Sequence, residues 1–557
     1  MPPAGQRRLH WQRPARDGAR AIIPAACLLG VLLVAAQAGP AQVAERIKDV
    51  LTQMREHGST ARVQEEGCVA LGGLAFNTDI SVKIAVAGGI DDVLAAMRKH
   101  KSIARVQEEC VVALWLLAVN PDHKVKIADA GGIADVLAAM RRHKSTARVQ
   151  ERGCGVLRNL AVNPDNAVKI ANAGGVDSVL AAMRKYKSNA GLQEEGCGVL
   201  RNLAHSADNS VKIAVARGIA DVLAAMREHK STAELQLEGC GVLHILAQDA
   251  DNSVEIADAG GIDDVLAAMR AHRSHAGMQE WGCGALSNLA LQHIGNQITQ
   301  DADNPVKIAD AGGIADVLVA MRTHRSHAGV QVQSCGALSN LALNANNNAK
   351  IADAGGIADV LAAMRAHGSH AGVQDWGCNA LSILARTDSK VKIVAAGGIA
   401  DVLAAMRAHR SHAGVQLQSC SALSILALGT DIKVKIADAG GIADVLAAMR
   451  AHRSHAEVQD WGCSALSMFS RTNSNVKIVD AGGIADVLAA MRAHRLHAEV
   501  QQGGCDVLVG LALNTDYNVK IADAGGIADV LVDADAPVAP RGANAELRCA
   551  VESCSQC

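Results

Sequence analysis

Six copies of His-Xaa-Xaa-His, from His272/His275 to His494/His497, recur at a near-constant interval in the second half of this 557-residue chain. Imidazoles three residues apart share one helix face and suit zinc, so six stacked copies have the makings of a metal ladder. Yet no acidic or cysteine ligand recurs beside them, and they fall at the link between two helical segments. We read them as a solvent-facing edge and expect no metal. Their protonation would make that edge positive at around pH 6. Ten of the fifteen cysteines also recur at one place: Cys68, Cys154, Cys197, Cys240, Cys283, Cys335, Cys378, Cys420, Cys463 and Cys505. Cys110 stands one place early, so Val111 holds the equivalent position. This regularity points to a small buried thiol, not to a nucleophile or a disulfide framework.

Counting from that cysteine as zero, positions −3 and −2 are acidic in the first half: Glu65, Glu66, Glu108, Glu109, Glu151, Glu194, Glu195 and Glu238. A row of carboxylates on one wall favours a basic partner. Arg158 and Arg201 at +4 neutralise part of it. In the second half, position −2 carries Trp281, Trp376 and Trp461 in alternate copies, with Gln333 and Gln418 between them. Tryptophan is the residue type that dominates binding hot spots. At +5 stand Asn159, Asn202, Asn288 and Asn340, whose amides offer both a donor and an acceptor. The Val-Lys-Ile lysines (Lys83, Lys126, Lys169, Lys212, Lys307 and Lys350 onward) read as a solvated edge. No phosphate-binding glycine loop, Ser-His-Asp arrangement or isolated carboxylate pair occurs. Near-identical copies lack the asymmetry that catalysis needs, so we expect neither enzyme nor cofactor.

What positions these residues is a repeat of about 43 residues, exemplified by Val125–Asn163. A short helical pattern ends at Gly-Gly (Gly88, Gly131, Gly174, Gly260, Gly312, Gly355, Gly397, Gly440, Gly482 and Gly525), where glycine admits a positive φ. A second pattern, GIADVLAAMRAH, spaces Ile, Val, Leu and Met helically and ends in basic residues. A third, such as VQERGCGVLRNLAVN, puts Val149, Cys154, Leu157 and Leu160 on one side and breaks at Asn-Pro or Asn-Thr-Asp. Half the residues are apolar and 2% aromatic, so aliphatic side chains must build the core. A repeat this long forms a stacked solenoid, and such arrays bind rather than catalyse.

The Ala-Gly-Gly-Ile turn, the Asp-Val-Leu of the second helix and the Gly-Cys-Xaa-Xaa-Leu-Xaa-Asn-Leu-Ala of the third resemble the armadillo repeat family. The resemblance runs from Val43 to Val532, with ten complete units and a fragment at each end. It implies an all-α, right-handed superhelix of three-helix repeats whose third helices line a concave groove for extended peptides. In that groove the +5 asparagines would hold a peptide backbone, with Glu108, Glu151, Glu194, Arg158, Arg201 and the three tryptophans beside them. The nuclear-import members carry Trp at +1, where this chain has Gly155, Gly198, Gly284 and Gly336. Nuclear-localisation-signal binding is therefore not expected.

We accordingly read residues 41–533 as a scaffold or adaptor for a protein partner, one with a basic segment matching the acidic half. The net charge of −2 gives no pull toward nucleic acid. A monomer is expected. Residues 1–40 combine five arginines with an apolar run, Ala21–Ala38, that ends in Ala-Gln-Ala. A signal peptide, a membrane anchor, an organelle transit peptide and an apolar cap all fit that stretch. The cap would leave the chain cytoplasmic; a signal would send it to the secretory pathway or tether it to a membrane. The alternative function follows: a tethered or secreted array acting through its His and Lys edges, responsive to metal or pH. Residues 534–557 read as a flexible tail with Cys549, Cys554 and Cys557. A nine-residue insertion around Gln292–Gln300 reads as a loop, and Arg217, in place of the first turn glycine, predicts a strained or looser turn.

Overall fold

The computed structural model describes residues 40–291 and 304–526. The arginine-rich and apolar stretch, the insertion around Gln292–Gln300 and the 534–557 tail lie outside the described residues. Among those described, every regular element is a helix and no strand occurs. The order short helix, glycine turn, longer helix, longest helix repeats as expected, for instance Pro121–Asp129, Gly132–Arg142 and Ala147–Leu160. The chain divides into two compact units, Met1–Tyr186 and Lys187–Cys557. The first opens on the helices Pro40–Glu56 and Ala61–Ala75 and closes on Gly175–Lys185. The second opens on the third-type helix Ala190–Leu203 and runs to Thr515–Asp523. Within each unit, third helices pack on third helices in chain order and second helices on second helices.

The sequence period explains the core. Ile127, Val136, Leu137, Met140, Val149, Cys154, Leu157 and Leu160, one repeat's apolar set, are all buried. Their counterparts fill the same sites in each copy, so apolar burial is distributed along the array rather than concentrated in one centre. Asparagines at the breaks do what turn chemistry asks: Asn77, Asn163 and Asn344 each accept a backbone N–H of the short helix that follows.

The two turn glycines have different jobs. The first is left-handed, with φ of +87° at Gly355. The second approaches its neighbour too closely for any side chain: a methyl on Gly356 would lie 2.6 Å from Ile351 Cγ2 and 2.9 Å from Ile351 O. Arg217 keeps the left-handed conformation (φ 62°) without the glycine, the single non-glycine with positive φ among the described residues. The expected strain is present. Because a Cβ in this region costs roughly 1 kcal/mol, Arg217→Gly should raise stability by about that amount in chemical denaturation.

Three polar series, two of them absent from the sequence reading, tie the helices together. A buried glutamine at −4 donates from Nε2 to the last carbonyls of the second helix; Gln374 reaches Met364 O at 2.8 Å and His367 O at 2.9 Å. The arginine ending each second helix, such as Arg407, donates to Ala439 O at 2.9 Å and pairs with Asp444 at 2.8 Å in the next repeat. The Val-Lys-Ile lysines are not simply solvated: Lys169, Lys350, Lys392 and Lys477 pair with Asp129, Asp310, Asp353 and Asp438 of the preceding repeat.

The histidine pairs also depart from a bare solvent edge. The first member bridges repeats: Nε2 of His367 meets Arg325 O, and that of His409 meets Gly368 O, both at 2.8 Å. A carbonyl only accepts, so these nitrogens carry the proton. In four of the six pairs the second member caps the third helix, His275 Nδ1 accepting the Met278 N–H at 3.1 Å; His455 and His497 stand at the same position without that bond. No group of three metal-ligating side chains is assembled among the described residues.

One pair of cysteines corrects the buried-thiol reading. Cys68 and Cys110 form a disulfide with Cα atoms 5.0 Å apart. The one-place shift of Cys110 is the physical reason, since it moves that sulfur off the common site toward the preceding third helix. The other described cysteines are buried. Burial pushes the thiols of Cys283, Cys335, Cys378 and Cys420 up to about 12, which leaves them protonated and unreactive.

Candidate protein-binding site

The third helices present positions −3, −2, +1, +4 and +5 along their line of mutual contact. They point away from the apolar stripe, as the helical period requires, but side by side they interlock. In the first unit Trp115 (+4) lies across Gly155 (+1) of the next repeat, where a methyl would come within 2.7 Å of Trp115 Cδ1. The guanidinium of Arg152 stacks 4.5 Å from the centre of that indole. In the second unit, Arg201 (+4) crosses Gly241 from one side, with Cδ 2.7 Å from a would-be Cβ, and Trp281 from the other. Gly284 is crossed by His244 and Gly336 by Ser287 and Trp376. Gly155, Gly241 and Gly284 are thus close-approach points, where a side chain would have to displace its neighbour.

The expected asparagine rungs turn out to be anchored. Asn159 Nδ2 donates to Trp115 O at 3.2 Å, Asn288 to His244 O at 2.7 Å and Asn340 to Ser287 O at 2.9 Å. Each acceptor is the +4 carbonyl of the preceding third helix. Asn202 is buried at the corresponding position. These amides join repeats, and at Asn340 a second contact from Nδ2 to Ser287 Oγ occupies the donor group further.

The acidic row is paired as well. Glu65 meets Arg105 at 3.2 Å, Glu108 meets Arg148 at 2.8 Å and Glu151 meets Arg152 at 3.3 Å. Arg105 and Arg148, six residues before the cysteine site, were not anticipated; their basic type at an acidic helix start was the available signal. Arg201 and Glu238 form a pair that is almost wholly buried, at 2.8 Å with side chains 5% and 0% exposed. Glu194 and Arg158 are half-buried. The first-half face is therefore charge-compensated, not a bare negative wall.

The tryptophans occupy the same register and are all half-buried. Trp281 is held between the Arg201 guanidinium, 5.7 Å from its ring centre, and the His244 ring, edge-on at 5.3 Å. Burial lowers the His244 pKa, with His205 adding to the effect, so the ring beside Trp281 is neutral. Trp376 lies against Gly336, and each tryptophan follows an acid: Glu280, Asp375 or Asp460. Burial holds the Glu280 carboxyl up at about 7 and also raises that of Asp460. The arrangement offers flat apolar surface beside weakly charged acids. Among the described residues it contains no nucleophile–base pair.

Comparison with known proteins agrees with this architecture. Residues 248–440 match the family model described as LRRK2 ARM repeat, and residues 12–260 match that of the C-terminal domain of protein zer-1 homolog-like proteins. No curated protein matches the chain. Among solved structures, an engineered protein (Northeast Structural Genomics Consortium target OR497) is 23% identical, with a TM-score of 0.63, covering 76% of this chain and 98% of its own. A structure described as "A conserved phosphorylation switch controls the interaction between cadherin and beta-catenin in vitro and in vivo" is 14% identical, with a TM-score of 0.64, covering 91% of this chain and 99% of its own. At such identities these likenesses concern the fold. Repeat period, helix order, glycine turns and family-model match converge: the fold is an armadillo-type repeat solenoid, with residues 248–440 matched as ARM repeats.

Proposed function

We propose that this protein is a non-catalytic scaffold that holds an extended or helical segment of a protein partner along the third helices of its second unit. The observation that carries the reading is the register of Trp281, Trp376 and Trp461, three partly exposed indoles on one helix face at two-repeat intervals. Indoles at a protein surface bring large contact area at small entropic cost, the property of hot-spot residues. The solved structure concerned with cadherin and beta-catenin supports protein binding as a use of this fold. Since the first-half carboxylates are already ion-paired, aromatic contact rather than a basic partner segment carries the specificity proposed here.

The test uses a displayed random-peptide library selected on the intact chain. Trp376→Ala with Trp461→Ala should weaken the selected peptides at least tenfold, because truncating a hot spot costs about 2 kcal/mol or more. Trp281 is left in place, since its contacts with Arg201 and His244 also support the fold. Unchanged affinity in the double variant would remove the proposed face.

A further inference from the structure

The histidines that begin successive third helices of the second unit occupy a position filled by Asn189 at the start of Ala190–Leu203. Asn189 Oδ1 accepts the Leu192 N–H at 3.0 Å, a cap indifferent to pH. In the later repeats the imidazole takes over the same bond. Nδ1 of His275, His327, His370 and His412 accepts the N–H of Met278, Val330, Val373 and Val415 at 3.1 to 3.3 Å. An imidazole can accept there only while Nδ1 bears a lone pair, so each cap requires the neutral ring protonated on Nε2.

We infer that these four caps form an acid-sensitive device that loosens the N-terminal turns of the third helices as the rings protonate. Protonation converts Nδ1 from acceptor to donor, turns the capped N–H into an unsatisfied group and places a positive charge at the positive end of a helix. The neighbouring first-member histidines respond differently. His272, His324, His367 and His409 donate from Nε2 to carbonyls, a bond that the imidazolium keeps. Acid therefore acts on one histidine of each pair and spares the other.

The charged groups around the rings grade the response. Glu234 lies 3.6 Å from His275 Nε2 and offsets part of the loss there. Glu280 lies 3.9 Å from His327 Nδ1, but its carboxyl, held at about 7 by burial, loses its charge over the same interval and gives little compensation. His327 is itself held below the ordinary histidine pKa, first by burial and then by His324, with His367 contributing. Asp375 stands on the helix that His370 caps, and Val332 packs beside the His370 ring across Gly372. At His327, where burial favours the neutral ring, the stabilisation is complete above the unfolded value, about 6.5, and is lost as pH falls below it.

Hydrogen exchange on the full chain, corrected for the intrinsic pH dependence of exchange, tests this between pH 7.5 and 5. Segments bearing the Val330, Val373 and Val415 amides should exchange about fivefold faster at pH 5, the Met278 segment less so, and the Leu192 segment not at all. In the H275N/H327N/H370N/H412N variant, which copies the cap at Asn189, all five should be flat. Equal acceleration in the variant and the wild type, or none in the wild type, overturns the inference. So does acceleration at Leu192 matching that at Val373, a comparison that needs no variant.

Discussion

Glu238→Ala should destabilise the second unit by about 3–5 kcal/mol, the largest loss expected from any single polar substitution in this chain. The reason lies in what it leaves behind. Arg201 is 5% exposed, lies 2.8 Å from Glu238 and sits over the Trp281 ring. Without the carboxylate, the buried guanidinium loses its 2.8 Å charge-assisted contact. The indole face of Trp281 provides only about 1–2 kcal/mol of cation–π attraction in its place. Replacing both partners by apolar residues, Arg201→Met with Glu238→Leu, should cost less than either single change, since the pair's desolvation disappears with the pair. Chemical denaturation followed by far-ultraviolet circular dichroism and tryptophan fluorescence together reads the loss. A single variant within 1 kcal/mol of wild type would show that the pair is not buried as described.

The second large effect concerns the turn glycines, and it reverses the usual expectation. Gly355, with φ of +87°, is the glycine that conformational arguments single out. Its substitution by Ala should cost roughly 1 kcal/mol, since a methyl there would meet only the Arg322 guanidinium, at 3.3 Å and outside hard contact. Gly356→Ala should cost more, about 3 kcal/mol, although its φ is ordinary. A methyl at Gly356 collides with the backbone oxygen and the Cγ2 of Ile351, and neither can retreat without moving the short helix against the second. Parallel urea melts of the two variants rank them. Equal losses, or a larger loss at Gly355, would refute the close-approach explanation.

The contrast between these residues shows what could be read from the chain and what could not. The repeat, the three-helix order, the buried cysteine row and the strain at Arg217 followed from spacing and local chemistry, because each depends on residues within one period. The face of the third helices did not. Whether Asn159 is open to a peptide or donates to Trp115 O depends on the neighbouring repeat, and that distance is invisible in a helical wheel. The same holds for Glu108 with Arg148 and for His409 with Gly368 O, pairs about one period apart in sequence. Inter-repeat partners recur at the period itself, so they were available in principle. Searching for complementary polar residues one period apart would have found the Arg407–Asp444 and Lys392–Asp353 series. The Cys68–Cys110 disulfide was likewise signalled by Cys110, the one cysteine of the repeats that stands out of register.

The central claim is that a partner segment lies on the indole face of the second unit. Hydroxyl-radical footprinting of the full chain, with and without a selected peptide, examines that face residue by residue. The account predicts protection of Trp376 and Trp461 on binding, with Val391 and Val434, exposed on first helices, oxidised at unchanged rates. Protection of the valines while the two indoles stay fully reactive would contradict it.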